Sequence, residues 1–155
     1  METSSNGWPA SKDPKEIGIK SFAIDGTNTK IRCNETCGPI LAAFASEFHQ
    51  LVEPITGGAL DDWGYAYRPV RGTTDKLSNH SSGTAIDLNA SKHPLGKVNT
   101  FTAEQAAKIR ELCKKYNLRW GGDYKGRKDE MHFEIISKPN EVKALVKQLQ
   151  LKGIK

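Results

Sequence analysis

Asp129-Glu130-Met131-His132-Phe133-Glu134-Ile135-Ile136 is the stretch on which the fold turns. Met131, Phe133 and Ile135 alternate with His132, Glu134 and Ile136, the period-two pattern of a strand with one face against a core. His132 therefore stands on the polar side. Asp129, on the turn entering the strand, brings a carboxylate to the same space. Thr84-Ala85-Ile86-Asp87-Leu88-Asn89 has the same period: Thr84, Ile86 and Leu88 face inward, and Ala85, Asp87 and Asn89 face the other way. Gly83 leaves room for close backbone approach before this strand, and His80, in the loop feeding it, can return towards Asp87. Taken alone, His80 and Asp87 read equally well as a hydrogen-bonded structural turn. With His132 they make two imidazoles and a carboxylate, which suits Zn2+ and leaves a fourth position open. Asp129, near that position but outside the set, is the carboxylate that metal-assisted hydrolysis needs.

Outward from these strands, residues 118–120 and the aromatic-rich residues 65–70 read as further strands, with residues 71–82 a polar loop. Residues 21–24 and 30–33 pair as a hairpin through Asp25-Gly26. Gly38-Pro39 opens a helix over residues 40–52, whose Ile40, Leu41, Phe44, Phe48 and Leu51 form one stripe, and Pro54 ends it. Thr102 and Gln105 form a capping box for a second helix with Ala106, Ile109, Leu112, Cys113 and Tyr116 inward. A third covers residues 140–149 behind Pro139. Residues 1–16, polar and carrying Pro9 and Pro14, read as an extended lead-in open to motion, and residues 17–155 as the zinc-site domain. The fold class is α+β: helices on one face of a small, mainly antiparallel sheet, with a single zinc site.

A chain of 155 residues can bury one core without metal or disulfide staples. No run approaches the roughly 18 apolar residues of a membrane span, so membrane insertion is not expected. The first residues show no apolar segment behind a basic start, so synthesis without a secretory signal, in the cytoplasm, is expected. The net charge of +5 and pI of about 9.1 favour a polyanionic partner. Lys114, Lys115, Lys125, Lys128, Lys143, Lys147, Lys152 and Lys155 are scattered without interleaved aromatics, which argues against a nucleic-acid face. A cell-wall polymer or a plain solvated surface fits better. Three cysteines in such a chain argue against a disulfide framework. Cys33 and Cys37 lack a second pair at zinc-finger spacing, and Cys113 reads as a helix core residue. His49, beside Phe48, reads as a surface or core residue, whereas His93 lies in a loop that can line a site.

Ser78-x-His80-x-x-Gly83-x-Ala85-x-Asp87, followed by Asp129-x-x-His132-Phe133-Glu134, resembles the D-alanyl-D-alanine carboxypeptidase and L-alanyl-D-glutamate peptidase family of zinc peptidases. Tyr67-Arg68-Pro69, His93-Pro94-Leu95-Gly96 and Trp120-Gly121-Gly122-Asp123 are similar to the peptidase domains of bacteriophage endolysins. The resemblance spans residues 65–136 and is loose before them. It implies His80, Asp87 and His132 as zinc ligands and Asp129 as general base and acid. Many family members carry Glu at that place, and endolysin types often carry Asp. It implies Arg68 as the group that steadies the substrate carbonyl or carboxylate, with Arg71 as the neighbouring alternative, and Ser78 and His93 as substrate contacts. The implied substrate is the peptide stem of bacterial peptidoglycan, cut at an L-alanyl-D-glutamate or a D-Ala-containing bond. The implied enzyme is a monomer with no nucleic-acid partner, made in the host cytoplasm without a signal peptide and acting on the wall. Two alternatives stand beside it. One is a D-alanyl-D-alanine carboxypeptidase; the other is a non-enzymatic wall-binding module with a closed zinc site, in which His93 is the fourth ligand. The open fourth position and Asp129 favour an enzyme.

Overall fold

His132 and Asp87 stand directly opposite each other on neighbouring antiparallel strands, and the rest of the fold serves that register. The structure, a computed structural model, describes residues 2–58, 61–73 and 75–151. Lys152, Lys155 and the end of the expected 17–155 domain lie outside the described residues. The elements run β1 (Ile19–Ala23), β2 (Lys30–Asn34), α1 (Gly38–Leu51), β3 (Ala85–Asp87), α2 (Ala103–Tyr116), β4 (Leu118–Trp120), β5 (His132–Ile135) and α3 (Pro139–Gln148). This is an α+β chain. Its strands form two small antiparallel sheets rather than one: the β1–β2 hairpin and a three-stranded sheet in the order β3–β5–β4.

The three-stranded sheet rests on α1. Phe133 of β5 lies 4.7 Å from Phe44 and 5.8 Å from Phe48, ring centroid to centroid, and Phe44 meets Tyr116 of α2 edge-on. Burying each such ring stabilises by roughly 1.5–3 kcal/mol, so the side of β5 opposite His132 anchors the strand. Ile40, Leu41, Phe44 and Phe48 fill the expected stripe, but Leu51, the last residue of the helix, is 51% exposed. The hairpin closes on the start of α1 so tightly that a Cβ on Gly38 would sit 2.0 Å from the Phe22 ring. At α2 the capping box forms as read, with Gln105 N–H donating to Thr102 Oγ1 (3.1 Å) and Thr102 N–H to Gln105 Oε1 (2.9 Å).

Two further expectations are corrected. Residues 65–70 form no strand, because their backbone groups are engaged piecemeal: Tyr65 N–H with Arg32 O, Ala66 N–H with His80 O, and Arg68 O with Ser78 N–H. Only an isolated bridge joins Pro69 to Leu77. The lead-in is not loose. Trp8 and Ala10 are buried, Trp8 Nε1–H donates to Ser137 O (3.0 Å), and Ser4 bridges to Leu77. One tryptophan in a polar stretch is enough to dock it.

All three cysteines are free and buried, and burial pushes each thiol pKa up. Cys33 and Cys37 are core residues. A double Cys33→Ser, Cys37→Ser variant should lose about 1–3 kcal/mol in denaturant unfolding, the cost of burying hydroxyls short of partners, while keeping its metal content and activity. Lost activity in a variant that stays folded would give the pair a role in the site. Among the described residues, no helix is long and apolar enough to cross a membrane.

Candidate metal centre and its cleft

His80 reaches the sheet from a 3-10 turn, Asn79–Ser82. Ser78 caps this turn, its Oγ accepting from His80 N–H (3.2 Å), and Gly83 closes it at φ +70°. A Cβ on Gly83 would lie 2.5 Å from Asn34 N, so the turn can pack against β2 only with glycine there. Trp63 exchanges both backbone hydrogen bonds with Asp87 at 2.9 Å, which fixes the end of β3.

The three expected ligands converge. Asp87 Oδ1 lies 3.2 Å from His80 Nε2 and 3.0 Å from His132 Nδ1, and the candidate ligand atoms all lie within 4.8 Å of one another. The opposite nitrogens are spoken for: His80 Nδ1 is 2.7 Å from Gly64 O, and His132 Nε2 is 2.8 Å from Glu134 Oε1. A carbonyl and a carboxylate can only accept, so His80 Nδ1 and His132 Nε2 carry the protons. With both rings neutral, as metal ligands must be, that leaves His80 Nε2 and His132 Nδ1 as lone pairs aimed inward, the outer support that metal-ligating imidazoles use. Two nitrogens and an oxygen set this way fit zinc.

The charges agree. Burial opposes ionisation of Asp87, but His80 and His132 outweigh it and hold the carboxyl far below its ordinary range. Burial likewise disfavours a charged His132, yet hydrogen bonds to Asp87 and Glu134 push it up to about 10. The two buried carboxylates thus demand a cation between them, and a metal would take the place of the imidazolium proton.

Asp129 supplies a different signal. Its Oδ1 is buried without a hydrogen-bond partner, the one such side-chain atom among the described residues, and such atoms are rare enough to need a reason. Burial raises its pKa and Asp87 adds to the rise, against His132, His80 and Arg68. Its backbone is pinned, with N–H donating to Gly121 O and O accepting from His132 N–H, both at 3.1 Å.

Asp129 shares with the three ligands a cleft of about 1170 Å3. Arg68, Arg71 and Ser78 also line it, so seven of the eight site residues read from the sequence come together. Lys76, Lys125 and Arg127 add positive charge to the same walls, and none of these five cations is ion-paired among the described residues. Ser78 is buried, and its hydroxyl serves the turn beneath His80.

His93 is the exception. It is 1% exposed, its Nε2 lies 2.6 Å from Glu53 Oε2 and its Nδ1 2.7 Å from Thr100 Oγ1, and its ring stacks on Phe101 at 3.7 Å. With both nitrogens engaged away from the cleft, it serves neither as substrate contact nor as fourth ligand. Glu130 turns the same way, accepting from the Asn99 and Thr100 N–H groups at 2.9 Å each. His49 is structural, its Nδ1 accepting from Ile55 N–H.

Four supporting groups were given no role in the sequence reading: Gly64, Asn79, Tyr124 and Glu134. Glu134 carried a signal, since alternation sets it on the His132 face. Tyr124 donates its hydroxyl to Glu134 Oε1 and lies under the Arg119 guanidinium at 4.7 Å. Gly64 acts through a carbonyl, which every residue has.

A family model described as D-alanyl-D-alanine carboxypeptidase matches residues 71–135, a stretch that holds all three candidate ligands and Asp129. The matched family is one of zinc metallopeptidases, which agrees with a buried His80–Asp87–His132 group able to hold a metal. No curated protein and no solved structure matches the chain.

Proposed function

We propose that this chain is a zinc-dependent peptidase of the endolysin type that cuts within the peptide stem of bacterial peptidoglycan, at an L-alanyl-D-glutamate or a D-Ala-containing bond. The observation that carries the reading is the orphaned Asp129 carboxylate oxygen in one cleft with a pre-set pair of imidazoles and a carboxylate. His80, Asp87 and His132 would hold the metal, with Gly64 and Glu134 fixing the two rings. A zinc ion held there would supply Lewis acidity for a substrate carbonyl and for a water beside it. Asp129 takes the proton of the attacking water and returns it to the leaving amine. Arg68 faces the charge that develops on the carbonyl oxygen or a neighbouring substrate carboxylate.

The cleft can accept a peptide longer than a terminal dipeptide. At about 1170 Å3, just past the upper end of the roughly 300–1,000 Å3 of small-ligand sites, it has room for several residues of a stem peptide. The engagement of His93 by Glu53 and Thr100 weighs against the closed-site binding module. Digestion of purified peptidoglycan by the zinc-loaded protein, followed by mass analysis, tests the proposal. New termini inside the stem are expected. Release of terminal D-Ala alone would make it a carboxypeptidase, and wall binding without fragments a binding module.

The cationic walls yield a prediction of their own. Arg71, Lys76, Lys125 and Arg127 are exposed, and exposed charges are screened over about 8 Å at physiological salt. Raising the salt should release the protein from whole walls, measured by co-sedimentation, while changing cleavage of a short soluble peptide little. Equal losses on both would remove the charge from any role in wall association.

A further inference from the structure

The loop over residues 2–10 touches both elements that carry the histidines. Asn6 backbone N–H donates to Asn79 Oδ1 (2.9 Å), Asn79 Nδ2–H to Glu134 Oε2 (2.9 Å), and His132 Nε2–H to Glu134 Oε1 (2.8 Å). A second line runs from Ser4 Oγ to Ser82 Oγ (2.8 Å) and on to Asn79 O (3.0 Å), inside the turn that presents His80. The Asn6 side chain is fastened in turn, its Nδ2–H groups reaching Thr84 Oγ1 (2.8 Å) and Ile135 O (3.0 Å). Ser4, Asn79, Ser82 and Glu134 are all buried.

We infer that Asn79 is a positioning residue for the metal centre, and that the N-terminal loop braces the centre through it. Both oxygens of Glu134 are engaged, Oε1 by His132 and Tyr124 and Oε2 by Asn79. Without the Asn79 amide, Oε2 is a buried carboxylate oxygen short of a donor. The carboxylate is then drawn to rotate, and the His132 ring turns with it. Outer partners of ligating imidazoles are worth roughly 10–100-fold in metal affinity. Asn79 differs from an ordinary outer partner because its other end is held by a segment over 70 residues away in sequence. The inference rests on the reading of His80, Asp87 and His132 as the zinc set.

Zinc affinity of the full chain, measured by competition with a chromophoric chelator, tests it with zinc alone as the probe. Asn79→Ala should bind about 10–100-fold more weakly and change the visible spectrum of the cobalt-substituted protein. Asn6→Ala keeps the backbone donor but loses the anchors to Thr84 and Ile135, so it should weaken binding less and in the same direction. The double variant should bind no more weakly than Asn79→Ala, because both changes cut one line. Val142→Ala, which opens a buried site on α3 remote from the cleft, should lower stability and leave zinc affinity unchanged. Wild-type affinity in Asn79→Ala, an equal loss in Val142→Ala, or additive losses in the double variant would each overturn the brace. If Asn79→Ala does not fold, Asn6→Ala decides: unchanged affinity there overturns the brace. Failure of the wild-type chain to bind zinc would instead overturn the underlying ligand assignment.

Discussion

His80→Ala and His132→Ala are each expected to lose zinc and to hydrolyse nothing above background. Each removes one of three donors, and the remaining imidazole and carboxylate make too small a set for a tight site. The two should differ in stability. His80 hydrogen-bonds the Gly64 carbonyl, so its removal leaves a neutral acceptor and one open contact to Asp87. His132 stands between Asp87 and Glu134, both about nine-tenths buried, and its removal leaves two carboxylates facing each other. Breaking a buried ion pair from one side costs about 3–5 kcal/mol, so His132→Ala should melt well below His80→Ala. Metal analysis reads the first expectation and thermal unfolding of the metal-free proteins the second. Full zinc occupancy in either variant removes that histidine from the ligand set.

Period and capping were legible along the chain because their causes are local. Residues 118–120 and the Thr102–Gln105 box needed only their own neighbours, and alternation at 84–89 and 131–136 was enough to put Asp87 and His132 on the non-apolar faces of their strands. The register that sets them opposite each other belongs to the pairing of the two strands. What the sequence hid depends on partners far away. Aromatic residues 65–70 look strand-like, but their backbone donors and acceptors are claimed by Arg32, Ser78 and His80 before a ladder can form. Trp8 looks like part of a polar leader until Ser137 supplies its acceptor. His93 and His80 are the same side chain in similar loops. One meets Glu53 and Phe101 and becomes core; the other meets Gly64 and Asp87 and becomes a candidate ligand. Asn79 reads as loop filler until Glu134 stands beside it. The candidate donor residues were thus visible in advance and their scaffolding was not, since donors need a chemical type and scaffolding needs only a place.

Asp129→Asn is the variant in which chemistry and metal binding should separate. An amide keeps the size of the carboxylate and most of its contacts but cannot take a proton from the attacking water. General acid–base groups contribute roughly 10²–10⁴-fold in rate, and a loss of that size is expected in cleavage of the stem peptide. Zinc content should hold, because Asp129 lies outside the His80–Asp87–His132 group. Stability should hold or rise slightly, since the buried Oδ1 has no partner to lose and burial already disfavours its charge. Glu130→Gln is the control from the adjacent position. Its carboxylate grips the Asn99 and Thr100 amides rather than the cleft, so that variant should lose some stability and keep most of its rate. Loss of rate in Glu130→Gln with Asp129→Asn active would move the base by one residue. Loss of zinc in Asp129→Asn would instead make Asp129 a fourth ligand, closing the site and taking with it the proton acceptor on which hydrolysis depends.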